Sequence, residues 1–250
     1  MDIKNLKAEL LRQMKDREKG NLYHWTQTNF AYHSNRMEGS RITPDQTEMI
    51  FEDQTFLVEQ NEPVRLDDLV EVQNHFRLFD EMLRLLNEPL SWEMILEMHV
   101  ILKRGTSDED KPWLGADQFK TVSNQIGMIN PVSTTPPEQV EAGLAQLLEE
   151  YHRVGHPSFP DLLDFHIRFE RIHPFSDGNG RIGRIILFRE CLRHNMCPFI
   201  ILDQNRAFYI RGLQEFDREP GYLRDTCLLA QDQYLAAAEQ FLASIQSRNQ

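Results

Sequence analysis

Apolar residues recur along most of the chain at intervals of three and four, the period of an α-helix with one buried face. Ile3, Leu6, Leu10 and Met14 form the first stripe, and Gly20 closes it. A second helix is predicted over residues 26–39, where Phe30, Ser34 and Met37 share a face and Gly39 supplies a C-terminal stop. Pro44 opens a third. Leu69, Val72, Phe76, Phe79 and Leu83 mark an amphipathic helix over 65–86, and after the break at Pro89 another covers 92–102. Helical pattern returns at 138–151, 161–172, 181–194 and 207–213, then runs from Leu223 to Ile245. Residues 106–139 differ, being rich in Gly, Pro, Ser and Thr without a sustained stripe. Within them Val122, Ile126 and Met128 predict a short hairpin around Ser123, Asn124 and Gln125, its edge open to another chain. The β-rich runs of a doubly wound sheet are missing, so the pattern predicts an all-α bundle with a small β-hairpin flap.

Composition narrows the function more than the fold. With 40% hydrophobic residues in a chain of 250, a core forms without disulfides or a structural metal. The 27 Lys and Arg face 39 Asp and Glu, a formal charge of -12, which argues against nucleic acid or an anionic membrane as partner. Any anionic ligand must therefore meet a local cluster of positive groups. Cys191, Cys197 and Cys227 are odd in number and form no CxxC, so they read as reduced thiols. The first twenty residues alternate charged and apolar positions without a signal core, and no apolar run approaches the roughly 20 residues that span a bilayer. A cytoplasmic location is expected.

The segment 165–193 concentrates His, Asp, Gly and Arg between two apolar helices. Ser158 and Asp161 read as a capping box for the first, whose buried stripe is Leu162, Phe165, Phe169 and Ile172. Pro174 ends that helix and leaves His173 at its exit. Gly178 and Gly180 flank Asn179, which lets the backbone turn several N–H groups inward just where the next helix adds its own unpaired donors. Such a nest binds anions. Arg181 and Arg184, three apart, converge on polyphosphate oxygens from one helix face, and Asp177 is a hard oxygen ligand suited to Mg²⁺. His173 supplies a group that titrates near neutrality and can take a proton from an attacking hydroxyl. The set describes phosphoryl or nucleotidyl transfer. A metal-dependent phosphohydrolase built on His166, His173 and Asp177 is disfavoured because the spacing lacks a compact HExxH arrangement, and His166 reads as a core histidine.

The run from His173 to Arg184, HPFSDGNGRIGR, resembles the signature of the Fic family at every specified position. The resemblance extends over about residues 90–225 and implies a helical bundle with a hairpin flap. Most members transfer AMP from ATP to a Ser, Thr or Tyr hydroxyl of a protein, releasing pyrophosphate. Carried onto this chain, the resemblance makes His173 the base and Phe175 the loop's anchor. Asp177 becomes the Mg²⁺ ligand, Gly178, Asn179 and Gly180 the anion hole, and Arg181 and Arg184 the holders of the β- and γ-phosphates. Asn205 and Tyr209 fall near the nucleoside, and the flap of Val122, Ile126 and Met128 takes an extended piece of the target, which includes the enzyme itself. A kinase-like relative carries Lys at the position of Gly180, so AMP transfer is preferred over phosphate transfer.

Ser34, Glu38 and Gly39 resemble the inhibitory Ser/Thr-x-x-x-Glu-Gly/Asn motif of the N-terminally self-inhibited class of protein adenylyltransferases. The resemblance pairs Glu38 with Arg184. It divides the chain into an N-terminal helical region (1–89) carrying the inhibitory helix, a catalytic core (90–225) and a C-terminal helix (226–250). The alternatives are a hydrolase that removes AMP through the same site, with Glu38 aligning water, transfer of another nucleoside monophosphate, and a nucleotide sensor without turnover. Amphipathic helices at both termini offer surfaces for a homodimer.

Overall fold

The computed structural model describes residues 2–16, 19–57, 63–109, 111, 114–126 and 132–248, with side chains as far as residue 243. Ten α-helices lie among these residues: α1 (Ile3–Asp16), α2 (Leu22–Met37), α3 (Pro44–Asp53), α4 (Leu66–Arg84), α5 (Trp92–Lys103), α6 (Pro137–Val154), α7 (Phe159–Ile172), α8 (Asn179–Arg193), α9 (Arg206–Gln214) and α10 (Gly221–Arg248). A short 3-10 turn, Asp203–Asn205, leads into α9. Strands β1 (Gln125–Ile126) and β2 (Val132–Ser133) pair antiparallel, Gln125 opposite Ser133 and Ile126 opposite Val132.

Local chemistry sets the helix ends. The Asn21 side chain accepts the His24 amide at 2.8 Å, so α2 starts four residues before the position that spacing alone indicates. Thr43 and Gln46 form a reciprocal capping box on α3, and Ser158 with Asp161 forms one on α7. The principal apolar core draws residues from both sides of position 89: Leu6, Tyr23, Phe30 and Phe79 pack in one cluster with Phe165, Phe175, Ile185 and Phe188. Gln27 ties α2 to α4 by donating to Asp80 Oδ1 at 2.9 Å and to the Phe76 carbonyl at 3.2 Å. Helix α8 is buried on nearly every side. Its N-terminus is therefore held from several directions, which fixes the loop before it. Helix α10 runs without a break through residues 225 and 226.

The hairpin departs from its expected register. Gln125, expected in the turn, begins strand β1, and Val122 lies outside that strand with 61% of its surface exposed. The cause is tertiary, because Asn124 donates to the Phe175 carbonyl at 3.0 Å and accepts from Lys120 at 2.8 Å. Those bonds commit residues 120–124 to the loop after α7, and pairing begins only beyond them. Met128 lies outside the described residues. No helix among the described residues is long and apolar enough to cross a membrane.

Candidate active site

Helix α7 ends at His173, whose φ of 51° is left-handed while its amide still reaches the Phe169 carbonyl at 2.9 Å. The chain then turns sharply. The Phe175 ring is fully buried and stacks on His99 with centroids 3.8 Å apart, and Asn179 closes the loop from within, accepting from the Phe175 amide at 2.9 Å and donating to its carbonyl at 2.8 Å. The Asn179 side chain is thus a clasp for the loop. Gly178, at φ 85°, caps α8, a backbone state that side chains disfavour. The first helical bond runs from Ile182 N to the Gly178 carbonyl, so the amides of Asn179, Gly180 and Arg181 have no intrahelical acceptor and form the nest.

The His173 Nδ1 lies 3.2 Å from the Glu170 carbonyl, which only accepts, so Nδ1 carries the proton and Nε2 keeps its lone pair. Burial holds the imidazole down to about 4, with Lys120 pushing the same way and the Glu170 carbonyl, Glu38 and Asp177 opposing. At neutral pH His173 is an uncharged proton acceptor.

Asp177 is half exposed, yet its Oδ2 takes both Lys103 Nζ at 2.8 Å and Arg181 Nη2 at 2.9 Å. Burial opposes its ionisation, but the two cations prevail and hold the carboxyl well below the usual range. Lys103, from the end of α5, is 2% exposed and also meets Glu71 and Asp108, each at 2.8 Å. Arg181 is equally engaged: it is 1% exposed and bonds Glu71 at 2.5 Å and Asn35 at 3.2 Å besides Asp177. An arginine expected on phosphate is therefore occupied by carboxylates in this state. These groups line a cleft of about 230 Å³ with Glu38, Asp67 and Asp68.

Arg184 is held by α2. Its Nε donates to Ser34 Oγ at 3.0 Å, and its Nη2 to the Ser34 carbonyl at 2.9 Å and to Glu38 Oε1 at 2.7 Å. Glu38 also lies so close over Gly180 that a β-carbon there would overlap its carboxylate. The inhibitory-motif residues Ser34 and Glu38 thus converge on the second arginine of the loop, while Gly39 follows with φ 96° and ends the turn after α2.

Tyr209 is buried, its hydroxyl 2.6 Å from His166 Nε2 and in contact with Arg184, rather than lining an open pocket. Asn205 closes the 3-10 turn and leaves its Nδ2 buried without a protein partner. Sequence spacing gave no signal for Glu71, Lys103, Asn35, Lys120 or Glu170. Each reaches the loop through long-range contact or, for Glu170, by lying one turn before His173 on α7. Glu170 has 8% exposure and burial raises its carboxyl to about 7.

A second cluster, His24 with Glu48 and Glu52, has metal-like spacing among the described residues. The Gly20 amide donates to His24 Nδ1 at 3.0 Å, which puts the ring proton on Nε2, the nitrogen that faces Glu52 at 3.4 Å. That tautomer offers a donor and no metal ligand.

Six histidines are held down by burial: His24, then His33, His99 and His173 to about 4, and His75 and His166 to about 3. The unfolded chain accepts protons below about 6.5 that the native state refuses, so their contribution to stability is complete above that pH and is lost as pH falls toward 4. Glu170 acts oppositely, keeping its proton between its ordinary 4.5 and about 7. Six groups outweigh one. Thermal unfolding at constant ionic strength is expected to show a lower Tm at pH 5 than at pH 7.5, and a Tm that rises on acidification contradicts this balance.

Fold and loop together define a Fic-type helical bundle. Residues 89–190 match the Fic/DOC family. Protein adenylyltransferase fic-1 of Caenorhabditis elegans is 27% identical over 192 residues, and protein adenylyltransferase Fic of Nematostella vectensis is 29% identical over 192. Each alignment covers 74% of this chain but only 35% and 42% of the respective relative, so the chain spans about two fifths of their length or less. A Fic domain containing signaling protein from Bacteroides thetaiotaomicron superposes with a TM-score of 0.71 at 20% identity, covering 99% of this chain and 92% of that one. A Fic-1 fragment from C. elegans gives 0.66 at 22% identity, covering 98% of this chain and 71% of that one, and a second form of the fragment gives 0.64 at 20% identity, covering 98% and 74%. At these identities the structures establish the fold.

Proposed function

We propose that the protein is an adenylyltransferase that moves AMP from ATP to a Ser, Thr or Tyr hydroxyl of a protein and is restrained by Glu38. The observation that carries this reading is the junction of α7 and α8, where an uncharged His173, a nest of amides and the Arg184 guanidinium share one loop. His173 Nε2 accepts the hydroxyl proton. The hydroxyl oxygen then bonds the α-phosphorus, the bond from that phosphorus to the bridging oxygen breaks, and pyrophosphate leaves with the electron pair. The nest amides support the phosphate oxygens while Arg184, once free of Glu38, holds the γ-phosphate.

Asp177 suits Mg²⁺ in donor type, charge and half-open exposure, with phosphates and water completing a shell of hard oxygens. A bound Mg²⁺ supplies charge neutralisation on the triphosphate. Asn205 Nδ2, buried and unpaired, is a donor available to the nucleoside. The edge of the β1–β2 hairpin accepts an extended stretch of the target through backbone pairing, which orients it with little demand on sequence. The relatives named as adenylyltransferases support the same chemistry.

Incubation with ATP, GTP, UTP or CTP and a cell lysate, followed by mass spectrometry, tests the reading: a Ser, Thr or Tyr carrying AMP is expected. In a Glu38→Gly background, Arg184→Ala is expected to weaken ATP binding about tenfold or more while sparing AMP, which has no γ-phosphate. Calorimetry with ATP, ADP and AMP checks it, and equal losses for all three remove Arg184 from γ-phosphate recognition.

A further inference from the structure

Lys120 has no part in the chemistry above, yet it is 3% exposed and has no carboxylate partner within bonding distance among the described residues. Its ammonium donates instead to three neutral oxygens: Asn124 Oδ1 at 2.8 Å, Thr134 Oγ1 at 2.6 Å and the Ile172 carbonyl at 3.2 Å. Its own amide donates to the Pro174 carbonyl at 2.8 Å. Residues 172 and 174 are the two neighbours of His173, so one lysine grips the chain on both sides of the base.

The same ammonium reaches both roots of the hairpin. Asn124 precedes β1 and Thr134 follows β2, and Thr134 Oγ1 closes the triangle at 2.5 Å from Asn124 Oδ1. Asn124 donates onward to the Phe175 carbonyl at 3.0 Å, and the Thr135 amide to the Arg171 carbonyl at 3.1 Å. The knot therefore joins the edge that would receive a target to the loop that holds the base.

We propose that Lys120 is a positioning residue that fixes His173 between its neighbours' carbonyls, anchors the hairpin to the same carbonyls, and sets its positive charge beside the imidazole. This deepens the adenylyltransferase reading and rests on it for its catalytic meaning. The ammonium sits at the carboxyl end of α7, where the helix dipole favours a cation. Burial without an acidic partner costs it protonation, lowering it to about 8, so it remains charged at pH 7. Lys120 pushes His173 toward the neutral form, against Glu38 from the end of α2 and Asp177 from the loop itself. Burial is the main cause that keeps the base free of its proton, and Lys120 adds to it against the two carboxylates. A neutral or acidic residue at position 120 would leave burial alone to oppose those carboxylates.

The test is an NMR titration of His173 in the full chain, assigned by comparison with His173→Gln, in wild type, Lys120→Gln and Lys120→Arg. It needs neither nucleotide nor target. Lys120→Gln keeps a donor but loses the charge, and the His173 midpoint is expected to rise by about one pH unit, with faster amide exchange at Gln125–Ile126 and Val132–Ser133. Lys120→Arg is expected to keep both near wild type. Lys120→Met, which needs no hydrogen-bond partner, makes the same comparison if the Gln variant does not fold. In a Glu38→Gly background, the acid limb of auto-modification should move with the NMR midpoint. An unchanged midpoint in a folded, uncharged variant overturns the proposal. A shifted midpoint in a protein that transfers no AMP keeps the role of Lys120 and overturns the transferase reading instead.

Discussion

Replacing His173 with alanine is expected to lower AMP transfer by about 10²–10⁴-fold, the span that a positioned general base contributes, while leaving ATP affinity unchanged. The expectation follows from where the imidazole stands. Its Nδ1 proton is committed to the Glu170 carbonyl at 3.2 Å, its Nε2 lone pair is the remaining reactive position, and burial keeps the ring unprotonated down to about 4. In the proposed reading the nest amides and Arg184 bind phosphate without it. Loss of the base is therefore felt in the transition state, where the hydroxyl proton must leave, and little in the ground state. Calorimetric ATP binding and a labelled-nucleotide transfer assay on the variant separate the two. A transfer rate equal to that of the parent protein removes His173 from the mechanism.

Glu38→Gly is expected to raise transfer by about 10–100-fold. Glu38 engages Arg184 at 2.7 Å and covers Gly180, the middle of the nest. In the proposed reading one carboxylate thus takes both a γ-phosphate contact and part of the anion site. A charge-assisted bond of this kind contributes about 1.5–3 kcal/mol, which sets the size of the expected release. Ser34 keeps two bonds to Arg184 after the substitution, so the guanidinium stays oriented while its acceptor is vacated. A fall in transfer by E38G, together with AMP removal by the wild type from a modified substrate, assigns the reverse reaction, with Glu38 positioning water.

The helices were legible because their signals are local. The stripe from Leu162 to Ile172, the Ser158 and Asp161 capping box and the proline at 174 together delimit α7 within two residues of its observed ends. The order of His, Asp, Gly and Arg around the α7–α8 turn was readable for the same reason. Partners distant in sequence were not. Asp177 appears as a free carboxylate in sequence, yet Lys103 reaches its Oδ2 from 74 residues away. Arg181 and Arg184, alike in spacing, differ in the fold because α4 brings Glu71 to the first and α2 brings Ser34 and Glu38 to the second. The hairpin slipped for a related reason: Asn124 looks like a turn residue, but its side chain serves Phe175, Lys120 and Thr134. Tyr209 likewise shows its aromatic ring in sequence and hides the His166 that takes its hydroxyl.

The most direct measurement incubates Glu38→Gly and the double variant E38G/H173A with ATP labelled at either the α- or the γ-phosphorus, and follows label bound covalently to protein. The account predicts incorporation from α-labelled ATP by the single variant, none from γ-labelled ATP, and loss of the α signal in the double variant. Incorporation from the γ-position, or α-label that persists without His173, would contradict it.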